Sequence, residues 1–405
     1  MPTIQWLVVC VWVVAAAQLR AEDFLDEMES ALTFSAFDDE LRVHVSGLLD
    51  LEGYKFDQPA PGLLYTESDA LLNPRLTLFV DSQIGPQVYA FAQVRLDRGF
   101  DPGDEGGEMR LDEYATRFTP WEDGRLNLQI GKFGTAVGQW VARHLSWENP
   151  FVTAPLPYEH RTMIYDSEAP VSPHEFLDQI GEAEYDYSPL IWGASYTTGA
   201  SVSGQLGELT YVAEVKNVAP AARTAAWDAT AVGFDHPTFS GRLGYRPNEM
   251  WNMGISFSDG PYFHPDAEPT LPSGSGIGDF HQTIIGQDIS FAWHHLQLWA
   301  ECYQGRFEVP NVGNADTIAY FVEGKYKFGP QLYGALRWNQ QLFDDVPDGE
   351  GGREDWGHDL WRADAAVGYR LTAHTQVKLQ YSHSHEACDG RGASNLLAAQ
   401  VTVRF

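Results

Sequence analysis

The feature that most constrains this chain is the rhythm of its connections. From residue 42 onward the sequence reads as about sixteen short segments of alternating apolar and polar residues, separated by turn residues. The predicted strands are 42–51, 75–81, 87–97, 111–119, 125–131, 189–198, 208–216, 238–246, 251–258, 282–293, 296–303, 317–328, 331–343, 359–371, 375–382 and 395–405. One set of links is short: 83–86, 120–124, 247–250, 294–295, 329–330 and 372–374. The intervening links are long: 52–74, 98–110, 132–188, 217–237, 259–281, 304–316, 344–358 and 383–394. A sandwich or propeller has no physical reason to sort its connections this way. An up-and-down antiparallel barrel, with tight turns at one rim and long loops at the other, requires it. An even number of strands of this length suits a tilted crossing of a bilayer.

The alternation inside the strands supplies the apolar face. Val88, Ala90, Ala92, Val94 and Leu96 share one side, and Tyr89, Gln93, Arg95 and Asp97 the other. Leu126, Leu128 and Ile130 stand against Arg125, Asn127 and Gln129; in the last segment Leu397, Ala399, Val401, Val403 and Phe405 oppose Gln400, Thr402 and Arg404. A half-buried soluble sheet also alternates, so a single strand proves little. Repeated about sixteen times, the pattern predicts an all-β transmembrane barrel with a polar lumen.

Composition excludes other classes. Lys+Arg is 26 against Asp+Glu 56, a formal charge of −30, which argues against nucleic acid as a partner. Beyond the first two dozen residues no run of 18 apolar residues exists for a transmembrane helix. Residues 6–17 have signal-core length, and the small residues that follow offer a cleavage point after Ala21, or alternatively after Ala17. A buried first helix is the other reading. The expected organisation is a signal peptide over 1–21, a short acidic periplasmic segment over 22–41, and the barrel over 42–405. Removing the signal leaves Cys302 and Cys388, too few for a disulfide framework.

With these features together, the chain resembles Gram-negative outer-membrane porins, a likeness covering nearly all of it after the signal. The stretches 130–138 (IGKFGTAVG) and 147–151 (WENPF) resemble the phosphate-selective porin O/P type. The resemblance implies that Phe405 is read by the barrel-assembly machinery, that the barrel forms a homotrimer, and that the third long loop folds inward to set the narrowest point. That loop is 132–188, carrying Lys132, Arg143, His144 and Arg161 together with the acids Glu148, Glu159 and Asp166. Fixed charges of both signs across a constriction make a transverse field that sorts solutes by charge. An external lid or a subunit contact with ordinary ion pairs is the competing reading.

The polar faces of the strands collect about fifteen basic residues, among them Arg75, Arg95, Arg117, Arg125, Arg337, Arg362, Lys325 and Lys327, against about eight acids. Charges in a narrow lumen act at close range, whereas loop charges are screened beyond about 8 Å. The expectation is a weak preference for anions; an unselective pore with paired arginines is the alternative. The acidic loops 101–108 and 344–350 read as solvated outer loops, bridged by divalent ions to lipopolysaccharide, rather than as specific Ca²⁺ sites. His383 and His385 share a strand face with Cys388 nearby, which permits a metal site, but no second cluster of ligands is identifiable, and no resident metal or cofactor is expected. There is no nucleophile elbow, zinc-protease helix or P-loop. The sequence therefore reads as a non-enzymatic diffusion channel for small hydrophilic solutes. Its rival is a non-conducting outer-membrane barrel acting as a surface or anchor protein.

Overall fold

In the computed structural model the described residues are 24–57, 60–64, 66–98, 107–178, 186–227, 233–388 and 391–405. The signal segment and most of the 101–108 loop lie outside them. A helix over 24–31 leads into β1 (Thr33–Ala36) and then β2 (Leu41–Phe56), β3 (Ala70–Ile84), β4 (Val88–Asp97), β5 (Glu108–Phe118) and β6 (Asn127–Phe133). After a long excursion come β7 (Thr197–Leu206), β8 (Leu209–Lys216), β9 (Thr238–Tyr245), β10 (Trp251–Pro261), β11 (His281–Trp293), β12 (Leu296–Val309), β13 (Gly313–Lys327) and β14 (Leu332–Phe343). A small hairpin, β15 (Asp345–Pro347) and β16 (Arg353–Asp355), precedes β17 (Leu360–Arg370), β18 (Thr375–Cys388) and β19 (Arg391–Arg404).

Strands β2–β14 and β17–β19 pair antiparallel with their sequence neighbours, and β19 returns to β2 to close a sixteen-stranded barrel. At this seam Leu48 of β2 stands opposite Arg404 and Phe56 opposite Leu396. The wall is inverted relative to a soluble protein. Val322 is 52% exposed beside Glu323 at 0%, and Leu336 is 68% exposed beside Arg337 at 2%. An apolar outer face with charged groups sealed inside is stable only where lipid surrounds it.

The structure corrects several predicted boundaries. Residues 189–198 are not the sixth strand: Leu190 and Ile191 are fully buried and Trp192 nearly so, packed without alternation, and the strand is Thr197–Leu206 instead. Its Gly- and Ser-rich sequence carries little hydrophobic signal. The shift creates a two-residue turn at Gly207–Glu208, where Gly207 takes a φ of +65°. The links 304–316 and 383–394 are largely strand as well. Strands β12 and β13 stay paired until Val309 meets Gly313, with Arg306 and Asp316 in a cross-strand ion pair at 2.7 Å on the way. At 16 residues β2 far exceeds the roughly 9–11 needed to cross a bilayer, so the tall strands project beyond it at the loop rim. By contrast β6 has 7 residues, and β8 and β9 have 8 each.

Candidate functional site

The segment between β6 and β7, residues 134–196, reaches side chains on the polar face of the far wall. Its first contact is a close one. Gly138 adopts a φ of +78°, and a side chain there would collide with the Tyr303 hydroxyl and crowd Glu301. The backbone N–H of Gln139 donates to Glu301 at 3.1 Å, and Tyr158 donates to the same carboxylate at 3.1 Å. Arg143 pairs with Glu323 at 2.7 Å, its guanidinium 4.4 Å above the Trp299 ring.

Farther along, Arg337 bonds the Asp364 carboxylate at 2.7 Å and donates to the carbonyls of Thr153 and Ala154. Arg362 holds both oxygens of Glu159 at 2.8 Å. Lys378 donates to the carbonyls of Ser146 and Asn149, and the Gln380 amide oxygen accepts from the N–H groups of Val152 and Thr153. The side chains of Glu323, Arg337 and Asp364 are completely sealed from solvent. Opposite charges so buried persist because each side chain has several partners.

The near wall is arranged differently. Arg75 bonds Asp50 at 2.9 Å and Glu52 at 2.6 Å, while Thr402 and Gln400 on β19 donate to the same two carboxylates. Next to it Arg95 pairs with Asp97 at 2.9 Å, and Arg110 bonds Asp97 at 3.0 Å beside Asp112. A β-bulge in the pairing of β4 with β5 adds an extra residue, which turns Arg110 and Asp112 to the polar face alongside Glu113. The partners in these ion pairs all belong to the wall itself. Between them and Trp140, His144, Phe151, Trp192 and Tyr196 lies a cavity of about 170 Å³.

His144 borders that cavity. Its Nδ1–H donates to the Val141 carbonyl, its Nε2 accepts from the Tyr196 hydroxyl at 2.9 Å, and burial pushes its pKa down to about 4. His160 is likewise driven to about 4 by burial, with its Nδ1–H on the Tyr187 carbonyl. Neither imidazole is a cation near neutral pH.

Of the residues assigned to a constriction from sequence, His144 lines this cavity. Lys132 belongs to β6 and donates to the carbonyls of Leu111 and Ala225. Arg143 and Glu159 are tied to the far wall, Arg161 lies 3.7 Å from Glu159, and Asp166 accepts from the Ser167 hydroxyl at 2.8 Å. Glu148 is exposed. Among the wall residues, Arg75 and Arg95 line the cavity, whereas Arg337 and Arg362 hold the segment. Arg117 bonds Gln129, and Arg125 sits in the turn before β6 with Asp123. Lys325 and Lys327 face inward near the turn rim. Asp50, Glu52, Arg110 and Asp112 were missed by the sequence reading. The signal was there, since Asp50, Glu52 and Tyr54 continue the alternation against Leu49, Leu51 and Gly53.

The chain matches no protein-family profile and no curated relative. Its fold matches solved outer-membrane proteins. OmpF of Salmonella typhi, solved with daunomycin, aligns over 92% of this chain and 100% of its own, with a TM-score of 0.58 and 12% identity. The outer-membrane channel DcaP of Acinetobacter baumannii aligns over 92% and 99%, with a TM-score of 0.56 and 11% identity. An anion-selective porin from Comamonas acidovorans aligns over 90% and 100%, at 0.54 and 9% identity. The architecture is therefore that of an outer-membrane porin barrel.

Proposed function

We propose that this protein is a porin of a Gram-negative outer membrane, passing small hydrophilic solutes and ions passively. The observation that carries the proposal is the cavity between the 134–196 segment and the β2–β5 wall, where three arginines and three carboxylates line one side. The segment is the size filter in this reading, and the wall charges supply the field across the path. A weak anion preference rests on the turn rim. There Lys325, Lys327, Arg370 and Arg404 make no ion pair among the described residues. Lys325 lies over the Tyr333 ring, and Arg370 and Arg404 flank Trp147 at 4.9 and 4.5 Å. Inorganic phosphate belongs among the anions to test, given the O/P-like stretches 130–138 and 147–151. The low wall of β6–β9, with Leu128, Ile130, Val202 and Phe239 exposed, supports a homotrimer contact. Assembly would run through the barrel-assembly machinery acting on Phe405, into lipid and lipopolysaccharide.

A planar bilayer holding the detergent-folded protein tests the reading. Stepwise conductance with a chloride-favouring reversal potential across a KCl gradient is expected. A potassium-favouring potential would sink the anion preference while keeping the channel. The dense packing of the segment against the far wall favours a second reading, a plugged barrel serving as a surface or anchor protein. Folded protein without conductance would decide for it.

A further inference from the structure

We propose that Asp26, Glu29 and His374 form a binding site for a divalent transition metal of the zinc class, which ties the helix ahead of β1 to the β17–β18 turn. One ligand atom from each of the three lies within 4.8 Å of the others. Asp26 and Glu29 are three apart on the 24–31 helix, so both carboxylates project from one face. His374 comes from the turn between β17 and β18, its side chain 4% exposed.

The tautomer of His374 is what points to a cation. Its Nδ1 lies 3.1 Å from the backbone carbonyl of Arg404, and a carbonyl can only accept, so Nδ1 carries a proton. That leaves Nε2 facing the Asp26 oxygen at 2.8 Å. A bare nitrogen lone pair against a carboxylate is a contact between two acceptors, and something positive has to lie between them. A proton satisfies one carboxylate; a metal ion satisfies Nε2, Asp26 and Glu29 together. An imidazole oriented by a carbonyl on its other nitrogen is also the usual support for a metal ligand. One imidazole and two carboxylates leave a fourth position for water and suit Zn²⁺ better than Ca²⁺, which prefers an all-oxygen shell.

The location gives the site a role. The helix runs into β1, which pairs with β2 through Thr33 opposite His44. Arg404, whose carbonyl orients the ring, ends β19. A metal here would tie the chain ahead of β2 to the β17–β18 turn across β19, bracing the seam from outside the sheet.

Isothermal titration of the chelator-stripped, detergent-folded chain with ZnCl₂ tests this, with CaCl₂ as control. Saturable binding of one Zn²⁺ per chain is expected, weakened about tenfold or more in His374→Gln and in the exposed double variant Asp26→Asn/Glu29→Gln. Zinc should also raise the thermal midpoint of the parent chain and leave that of the double variant unchanged. Absence of saturable zinc binding would overturn the proposal and leave His374–Asp26 as a protonated ion pair. Equal affinity in parent and both variants would overturn it too, by assigning the zinc to other histidines among the 13.

Discussion

The two sides of this lumen use the same chemistry for different ends. On the far side, arginine–carboxylate pairs interlock with the 134–196 segment: Arg143 with Glu323, Arg362 with Glu159, and Arg337 with Asp364 and two segment carbonyls. On the near side Arg75, Arg95 and Arg110 find their carboxylates within the wall and turn the assembled group toward a cavity. A sealed pair is costly to desolvate, and its loss is felt as stability. Beside the cavity the carboxylates are sealed as well, but Arg75 and Arg95 keep 16% and 26% of their side chains exposed, so their loss is also felt as a changed field. Charge on a barrel wall therefore has no fixed meaning until the path of the 134–196 segment is known.

The contrast breaks first at Arg337. Arg337→Ala leaves the buried Asp364 and Glu323 with one arginine each, Arg362 and Arg143, and removes the bonds to the segment carbonyls; it should cost about 3 kcal/mol. Urea unfolding in detergent should show a clearly lower midpoint, and an unchanged one would mean that the far side is not the anchor. Acid probes the segment more gently. His144 and His160 have folded pKa values of about 4, below the ordinary 6.5. Between pH 6.5 and 4 the unfolded chain binds protons that the folded chain refuses, so stability falls as pH drops through that window and levels off below it. Each imidazole contributes roughly 3 kcal/mol at most. A His160→Gln chain should lose part of this slope in stability measured across the same pH range.

The smallest effect on folding belongs to Arg75. Arg75→Ala removes a cation that is 16% exposed beside the cavity, and the reversal potential should move a few-fold in permeability ratio toward potassium, with a smaller drop in the unfolding midpoint than Arg337→Ala causes. If the midpoint falls as far as for Arg337→Ala, the two sides are not different in kind.

The barrel was legible because its cause is local. A two-residue period and a polar inner face are imposed on nearly every strand by lipid outside and water within. The failure at 189–198 shows the limit. Leu190, Ile191 and Trp192 form an apolar run because they are buried in the 134–196 segment, while the true strand beside them has small residues and a weak period. The cavity was half legible. Arg75 and Arg95 follow from alternation, but Glu52 fell just outside the predicted strand 42–51 and Asp112 beside a bulge. The partners of Arg143 and Arg362 could not be read at all, since the positions that bond are 180 and 203 residues apart.

The seam has a consequence in time. Phe405 and Gly47 exchange backbone hydrogen bonds of 2.9 and 3.1 Å, and the Phe405 ring fills the space where any side chain on Gly47 would collide. Thr402 and Asp50, bonded across the same junction, lie 352 positions apart. The entropy of closing so long a loop is lost before these contacts return anything. Until then β2 and β19 are both open edges, able to pair with other chains. Closing the seam removes both open edges at once, so the chain that has not yet closed is the form most exposed to misassembly.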